Sequence, residues 1–296
     1  MAHRRRQAVD VGLPLTSSLG KYANPFFLAL TCFFMPPVFR IQRASSRHYS
    51  SHGWLSTFFS FSFADYYDAQ NLNWGALRVL NDDTIAPHSG FETHPHRDME
   101  IITYVLEGEL KHQDSFGHRG TVTSGGVQYM SAGTGILHSE KNAGEKPLHL
   151  LQMWVLPRKA GLAPNYGQLD LTENDRNGKL LLVATGEKEK IVRQEKNQNT
   201  KKQNSAATVP SSSHFEPISI HQDASFYVGR MLGKPLAHVF SNAERLGFLF
   251  VADGKVEANG HALKSGDAVR MAGIEKLELD GTGEVVLWDL PEADLV

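Results

Sequence analysis

The sequence predicts an all-β protein assembled from sandwiches or barrels. From Trp54 onward the apolar segments are of strand length and rich in β-branched and aromatic residues. Gly, Asn and Asp punctuate them at near-regular spacing, and no long stripe of period 3.6 competes with them. Many short strands separated by turn signals are the pattern of closed or stacked antiparallel sheets.

In order along the chain, Leu77-Arg78-Val79-Leu80, Ile101 to Leu106, Val127 to Met130 and Leu148 to Leu156 read as strands. Leu106-Glu107-Gly108-Glu109 and Ser124-Gly125-Gly126-Val127 read as glycine turns between apolar runs. The pattern breaks over residues 187–213, which are charged and then rich in Gln, Asn, Lys and Ser with little to bury, as expected of a solvated linker or loop insertion. It returns with Phe226 to Met231, Leu246 to Val251, the Asn259-Gly260 turn and Val285 to Leu290. Val251-Ala252-Asp253-Gly254-Lys255 echoes the corner at Gly108, a weak internal duplication. Trp154 and Trp288, late in each half among apolar residues, are expected in barrel cores.

These readings divide the chain into an extension over residues 1–50, a first β domain over 51–186, the linker over 187–213 and a second β domain over 214–296. The extension has its own chemistry. Arg4, Arg5, Arg6, Lys21, Arg40, Arg43 and Arg47 face a lone acid, Asp10, as in a targeting peptide. Arg47-His48-Tyr49-Ser50-Ser51 resembles a mitochondrial processing site, and Met35 would open a compact Arg/Ser-rich leader. Mitochondrial import is therefore expected, with a disordered terminus on a cytoplasmic or nuclear protein as the alternative. The apolar segment from Asn24 to Phe39 is too short for a membrane span and is broken by Pro36-Pro37.

A length of 296 residues with 41% hydrophobic content supports two cores, and a net charge of -2 gives no reason to expect nucleic acid as a partner. The single Cys32 excludes an internal disulfide framework and a thiolate-rich metal site. Histidine is the abundant ligand type. His94-Pro95-His96, with Glu100 beyond, and His138-Ser139-Glu140 each place metal-capable groups at alternate positions, which share one face of a strand. Two such strands facing one another inside a barrel would offer three imidazoles and a carboxylate to one ion while leaving positions open. His221, His238 and His261 in the second half are scattered and read as surface or packing residues.

The surroundings of the two clusters sharpen this. The stretch from Gly90 through His94-Pro95-His96 to Glu100 and Gly108 is similar to the first motif of cupin barrels, and Gly125 to His138 to the second. His94-Pro95-His96-Arg97, Thr103 to Gly108, and Val127 through Ala132-Gly133-Thr134-Gly135 to His138-Ser139-Glu140 resemble the pirin family, as do Gly53-Trp54-Leu55 and Phe61-Ser62-Phe63-Ala64-Asp65. The likeness runs from about residue 50 to the C-terminus, with departures at Phe59, Gly126 and the extra Gly167 in Pro164-Asn165-Tyr166-Gly167-Gln168.

The resemblance implies a bicupin: two jelly-roll-like β-barrels packed face to face, with one metal in the N-terminal barrel held by His94, His96, His138 and Glu140. Glu100, which strand parity would turn inward with His94 and His96, is expected behind the ligands, holding one of them or polarising bound water. Fe(II) is the expected ion, with Mn, Co, Ni, Cu or Zn as alternatives. The implied activity is that of a quercetin 2,3-dioxygenase, opening a flavonol or catechol-like substrate with dioxygen, with Glu140 as the base. Two other roles stay open: a non-catalytic co-regulator whose iron signals redox state to a transcription-factor partner, and a storage cupin without metal. A monomer is expected, since the two barrels can satisfy one another.

Overall fold

Strand alternation builds both halves of the molecule. The computed structural model describes residues 37–186 and 216–292. Its first strands are β1 (Val38–Gln42), β2 (His48–Ser51), β3 (Leu55–Phe59), β4 (Leu77–Ile85), β5 (Ser89–His96) and β6 (Glu100–Glu107). They are followed by β7 (Glu109–Asp114), β8 (Arg119–Thr123), β9 (Val127–Ser131), β10 (Ile136–Asn142), β11 (Leu148–Val155) and β12 (Asn165–Leu169). A one-turn helix α1 (Glu173–Arg176), capped by Thr172, leads to β13 (Leu180–Thr185). The remainder comprises β14 (Ile218–Ser219), β15 (Ser225–Leu232), β16 (Leu236–Val239), β17 (Leu246–Ala258), β18 (His261–Lys264), β19 (Ala268–Ala272) and β20 (Lys276–Leu290).

The N-terminal barrel is made of two sheets, a four-stranded one in the order β5-β10-β7-β8 and a seven-stranded one in the order β12-β9-β6-β11-β4-β3-β2. The C-terminal barrel is one nine-stranded sheet whose path is β1-β19-β17-β20-β15-β13-β14, with β16 on β20 and β18 on β17. The seven-stranded sheet is buried on both faces. On β6, Ile102 and Tyr104 point away from the N-terminal barrel and join Tyr129, Leu151 and Met153 in a core that continues through Phe226, Phe248, Phe250, Val286 and Trp288 of the nine-stranded sheet. Ile101 and Val105, the alternate residues, fill the inside of the N-terminal barrel with separate clusters. The expected face-to-face pair of barrels is present. Trp288 lies in the shared core, and its indole N–H points at the Met153 sulfur. A buried polar bridge crosses the same interface: Tyr104 donates to Glu284, and Arg176 donates both to Glu284 and to the Tyr104 hydroxyl.

The expected boundaries shift at both ends of the first domain. Residues 1–50 are not wholly an extension, because the fold begins at β1, which pairs with β19 of the C-terminal barrel from Val38↔Ala272 to Gln42↔Ala268. Phe39 and Ile41 pack on the core of that barrel. The basic residues nearest the proposed cleavage point are structural: Arg43 pairs with the buried Asp267, and Arg47, only 8% exposed, pairs with Asp82. Processing near Ser50 would strip β1 from its sheet. At the other end, β13 precedes the linker in sequence yet pairs with β15, so its residues belong to the second barrel and not to the first. The leader residues 1–36 and the linker residues 187–213 lie outside the described residues. Among the described residues, no helix is long and apolar enough to cross a membrane.

A chain shortened to begin at Ser51 is expected to be less stable than one beginning at Pro37 by about 2 kcal/mol or more, the burial lost with Phe39 and Ile41 and with the strand ladder. Urea unfolding of the two chains measures the difference.

Candidate metal centre

The middle strand of the four-stranded sheet organises the site. β10 pairs with β5 on one side, with His138 directly opposite His94, and with β7 on the other, with Glu140 directly opposite His112 and His138 opposite Asp114. Directly paired residues of an antiparallel ladder carry their side chains on the same face about 5 Å apart. His94 and His96 on β5 and His138 and Glu140 on β10 are therefore brought to the barrel interior as expected, each pair by alternation.

The donor atoms of His94, His96 and His138 lie within 4.8 Å of one another. The three rings stand 4.4–4.9 Å apart, centroid to centroid. The His94 Nδ1 meets the Glu92 carbonyl at 2.7 Å; since a carbonyl only accepts, the ring proton sits there and Nε2 keeps its lone pair. That Nε2 faces the Nε2 of His138 at 3.0 Å. Burial, reinforced by the neighbouring imidazoles, pushes His96 and His138 down to about 3, so both rings are neutral near pH 7. Three imidazoles converging in this way, with His96 and His138 neutral, fit a divalent cation.

Glu140 is buried, and both of its oxygens are held. Gln128 Nε2 donates to Oε1 at 2.7 Å and Gln152 Nε2 to Oε2 at 2.8 Å, while Thr103 Oγ1 fixes Gln152 from behind at 2.8 Å. Burial raises the Glu140 pKa against the pull of His112 and these amides. The carboxylate groups in space with His112 and His138, again with donor atoms within 4.8 Å. The two triads meet at His138.

Glu100 is elsewhere. The chain turns between His96 and Glu100 through Asp98, which has a left-handed φ of 48°, so the alternation of β5 does not carry into β6. Thr103, on the opposite parity from Glu100, is the residue that reaches the Glu140 network. The Glu100 carboxylate faces out of the N-terminal barrel, where it accepts from the Tyr129 hydroxyl at 2.8 Å and from the His221 backbone N–H at 2.9 Å. It ties the first barrel to the second and touches neither a metal candidate nor its support.

Three further residues of the site were not legible as such. His112 is buried and stacks on Tyr166, with ring centroids 4.7 Å apart. Trp154, expected in the core, is only half-buried and sets its ring edge-on to His96 at 4.9 Å, with an indole N–H that has no hydrogen-bond partner. Asp83, paired with Leu150 and Thr57 on the inner face of β4, is pushed up to about 7 by burial. A cleft of about 570 Å³ opens beside His94, between Trp54, Phe91 and Lys141. A larger one of about 710 Å³ lies on the C-terminal barrel between Lys255, Lys264 and Asp280. Among the described residues, neither His221, His238 nor His261 joins a metal-capable cluster: His238 pairs with Asp289, and His261 stacks on Phe39.

Known proteins resemble this chain in sequence and fold. A family model described as Pirin matches residues 39–155, and one described as Quercetinase C-terminal cupin domain matches residues 209–290. A pirin-like protein of Caulobacter vibrioides is 39% identical over 83% of this chain and 93% of its own length. The chain belongs to the pirin family. Within that family, the quercetin 2,3-dioxygenase of Escherichia coli strain K12 is 36% identical over 85% of this chain and 98% of its own. The crystal structure of the bacterial pirin YhhW from Escherichia coli in complex with nickel(II) superposes with a TM-score of 0.72 at 35% identity, covering 86% of this chain and all of that one.

Asp83 gives a pH signature. Its pKa is raised on folding, so between about pH 4 and pH 7 the folded chain holds a proton that the unfolded chain has released, and stability falls as pH rises through that window. In metal-free protein, Asp83→Asn is expected to gain on the order of 3 kcal/mol relative to wild type between pH 4 and pH 8, read from urea midpoints at both pH values.

Proposed function

We propose that this pirin-family chain is a metal-dependent dioxygenase of the quercetin 2,3-dioxygenase type, acting on a flavonol or a related catechol-like compound. The observation that carries the reading is the convergence of three imidazoles on one point beside a buried, doubly clamped carboxylate. The name of the Escherichia coli relative supports the reaction class, and the nickel complex of YhhW supports a divalent cation in this barrel. The same observations do not call for the rival role of redox co-regulator.

His94, His96, His138 and Glu140 would hold the ion, with Fe(II) the ion proposed for an imidazole-rich set with open positions. When bound, the ion acidifies a coordinated hydroxyl and brings dioxygen to the substrate. The chain supplies the rest. Glu140, whose pKa burial has already raised, receives the proton of the substrate hydroxyl on whichever oxygen turns from its glutamine. Gln128 and Gln152 keep that carboxylate aimed, and their amides exchange partners more cheaply than a cation would. Trp154 forms one wall beside His96, and its unpartnered indole N–H would donate to a substrate oxygen. The apolar Phe63, edge-on to Trp154, narrows the space left for water.

Two outcomes are expected. Anaerobic mixing of Fe(II)-loaded protein with quercetin followed by admission of oxygen yields the ring-opened depside and carbon monoxide; oxygen uptake indistinguishable from a protein-free blank would remove the reading. Metal analysis separates the two glutamates: Glu140→Ala loses tenfold or more in iron affinity, whereas Glu100→Ala keeps its iron and loses about 2 kcal/mol of stability through the unpartnered Tyr129 hydroxyl and His221 N–H.

A further inference from the structure

The barrel contains one more metal-capable group than its proposed ligand set uses. His112 stands directly across the ladder from Glu140, with its side chain fully buried. Its Nδ1 is buried and has no hydrogen-bond partner, and its Nε2 lies 3.5 Å from Asp114 Oδ2. Asp114 is itself fixed, accepting from His118 Nδ1 at 2.8 Å and from the backbone N–H groups of Phe116 and His118. A braced carboxylate behind one imidazole nitrogen, with the other left free, is the support that metal-binding histidines commonly have. The second nitrogen of His138, its Nδ1, is also buried and unpartnered.

We infer that His112, His138 and Glu140 form an inner seat for a divalent cation, an alternative to the outer seat proposed above, in which His94 and His96 join the same His138 and Glu140. The donor atoms of His112, His138 and Glu140 lie within 4.8 Å of one another, as do those of His94, His96 and His138, and the two seats compete for His138 and Glu140. The inference rests on the reading of this barrel as a metal site. The two seats differ in chemistry. The outer seat offers three imidazoles and the inner two, each beside the shared carboxylate, and two imidazoles with a carboxylate accept manganese as well as iron. The ladder explains why both can exist: β10 lies between β5 and β7, so its inward residues meet donors from either side. An ion would pass from one seat to the other by exchanging His94 and His96 for His112, with His138 and Glu140 retained.

The test uses the full chain stripped of metal and titrated with Mn(II), followed by the electron paramagnetic resonance of the free ion. The variant H94A/H96A, which dismantles the outer seat alone, is expected to bind one Mn(II) within about tenfold of the wild-type affinity. Adding H112A is expected to abolish that binding. Loss of Mn(II) by folded H94A/H96A, or its retention by the triple variant, overturns the inference. A readout without substitutions covers the case in which a variant fails to fold: spin-echo modulation on Mn(II)-loaded wild type is expected to count two coupled imidazoles, and a count of three overturns the inner seat. Those failures leave the outer site and the proposed activity standing. A wild-type chain that binds neither Mn(II), Fe(II) nor Zn(II) overturns both.

Discussion

Burial of the seven-stranded sheet on both faces is the constraint from which the rest follows. Its outward residues, Ile102, Tyr104, Tyr129 and Met153, are committed to the core shared with the second barrel. Polar groups on the other face of its strands turn to the interior of the first barrel, where Thr103, Gln128 and Gln152 converge on Glu140, while Glu100 is satisfied between the barrels by Tyr129 and His221. In this sense the second barrel, which brings no metal-capable cluster of its own among the described residues, creates the site by occupying the opposite side of the wall. Buried polar groups on that inner wall are affordable only because they satisfy one another or a ligand, and several, including Asp83 Oδ1 and Gln128 Oε1, keep unsatisfied capacity.

The chemistry of the centre is set by which strand lies in the middle. With β10 between β5 and β7, His138 faces donors on both sides, and Glu140 is anchored from the opposite sheet. The carboxylate is thus stiffer than the imidazoles. Outside the imidazole cluster His94 is tied through the Glu92 carbonyl, whereas Glu140 is held at both oxygens by amides of the facing sheet. Such a division suits a centre in which the ligand arm can adjust to substrate while the acid–base group stays aimed.

Much of this was legible in the residues themselves. The strands, the two barrels and the inward pairs His94/His96 and His138/Glu140 follow from period-two patterns that the structure keeps. Parity failed at Glu100, because a three-residue turn with Asp98 at positive φ resets the alternation before β6 begins. His112 was hidden for a different reason: Lys111-His112-Gln113-Asp114 has the composition of a surface strand, and only its burial pattern shows that His112 and Asp114 point inward. β1 was obscured by the basic residues around it, whose partners Asp267 and Asp82 are far away in sequence. Membership of a sheet is a long-range property, and for that reason β13 could not be assigned from its neighbours.

β1 also imposes an order on assembly. It is the first of the described strands to be made, but its hydrogen-bonding partner β19 is among the last. Until then Phe39 and Ile41 have no core to join, and the first barrel must fold with an unpaired strand hanging from it. Closure of the second barrel therefore joins the first described strand to one of the last, and β1 waits for its partner through most of the chain's synthesis.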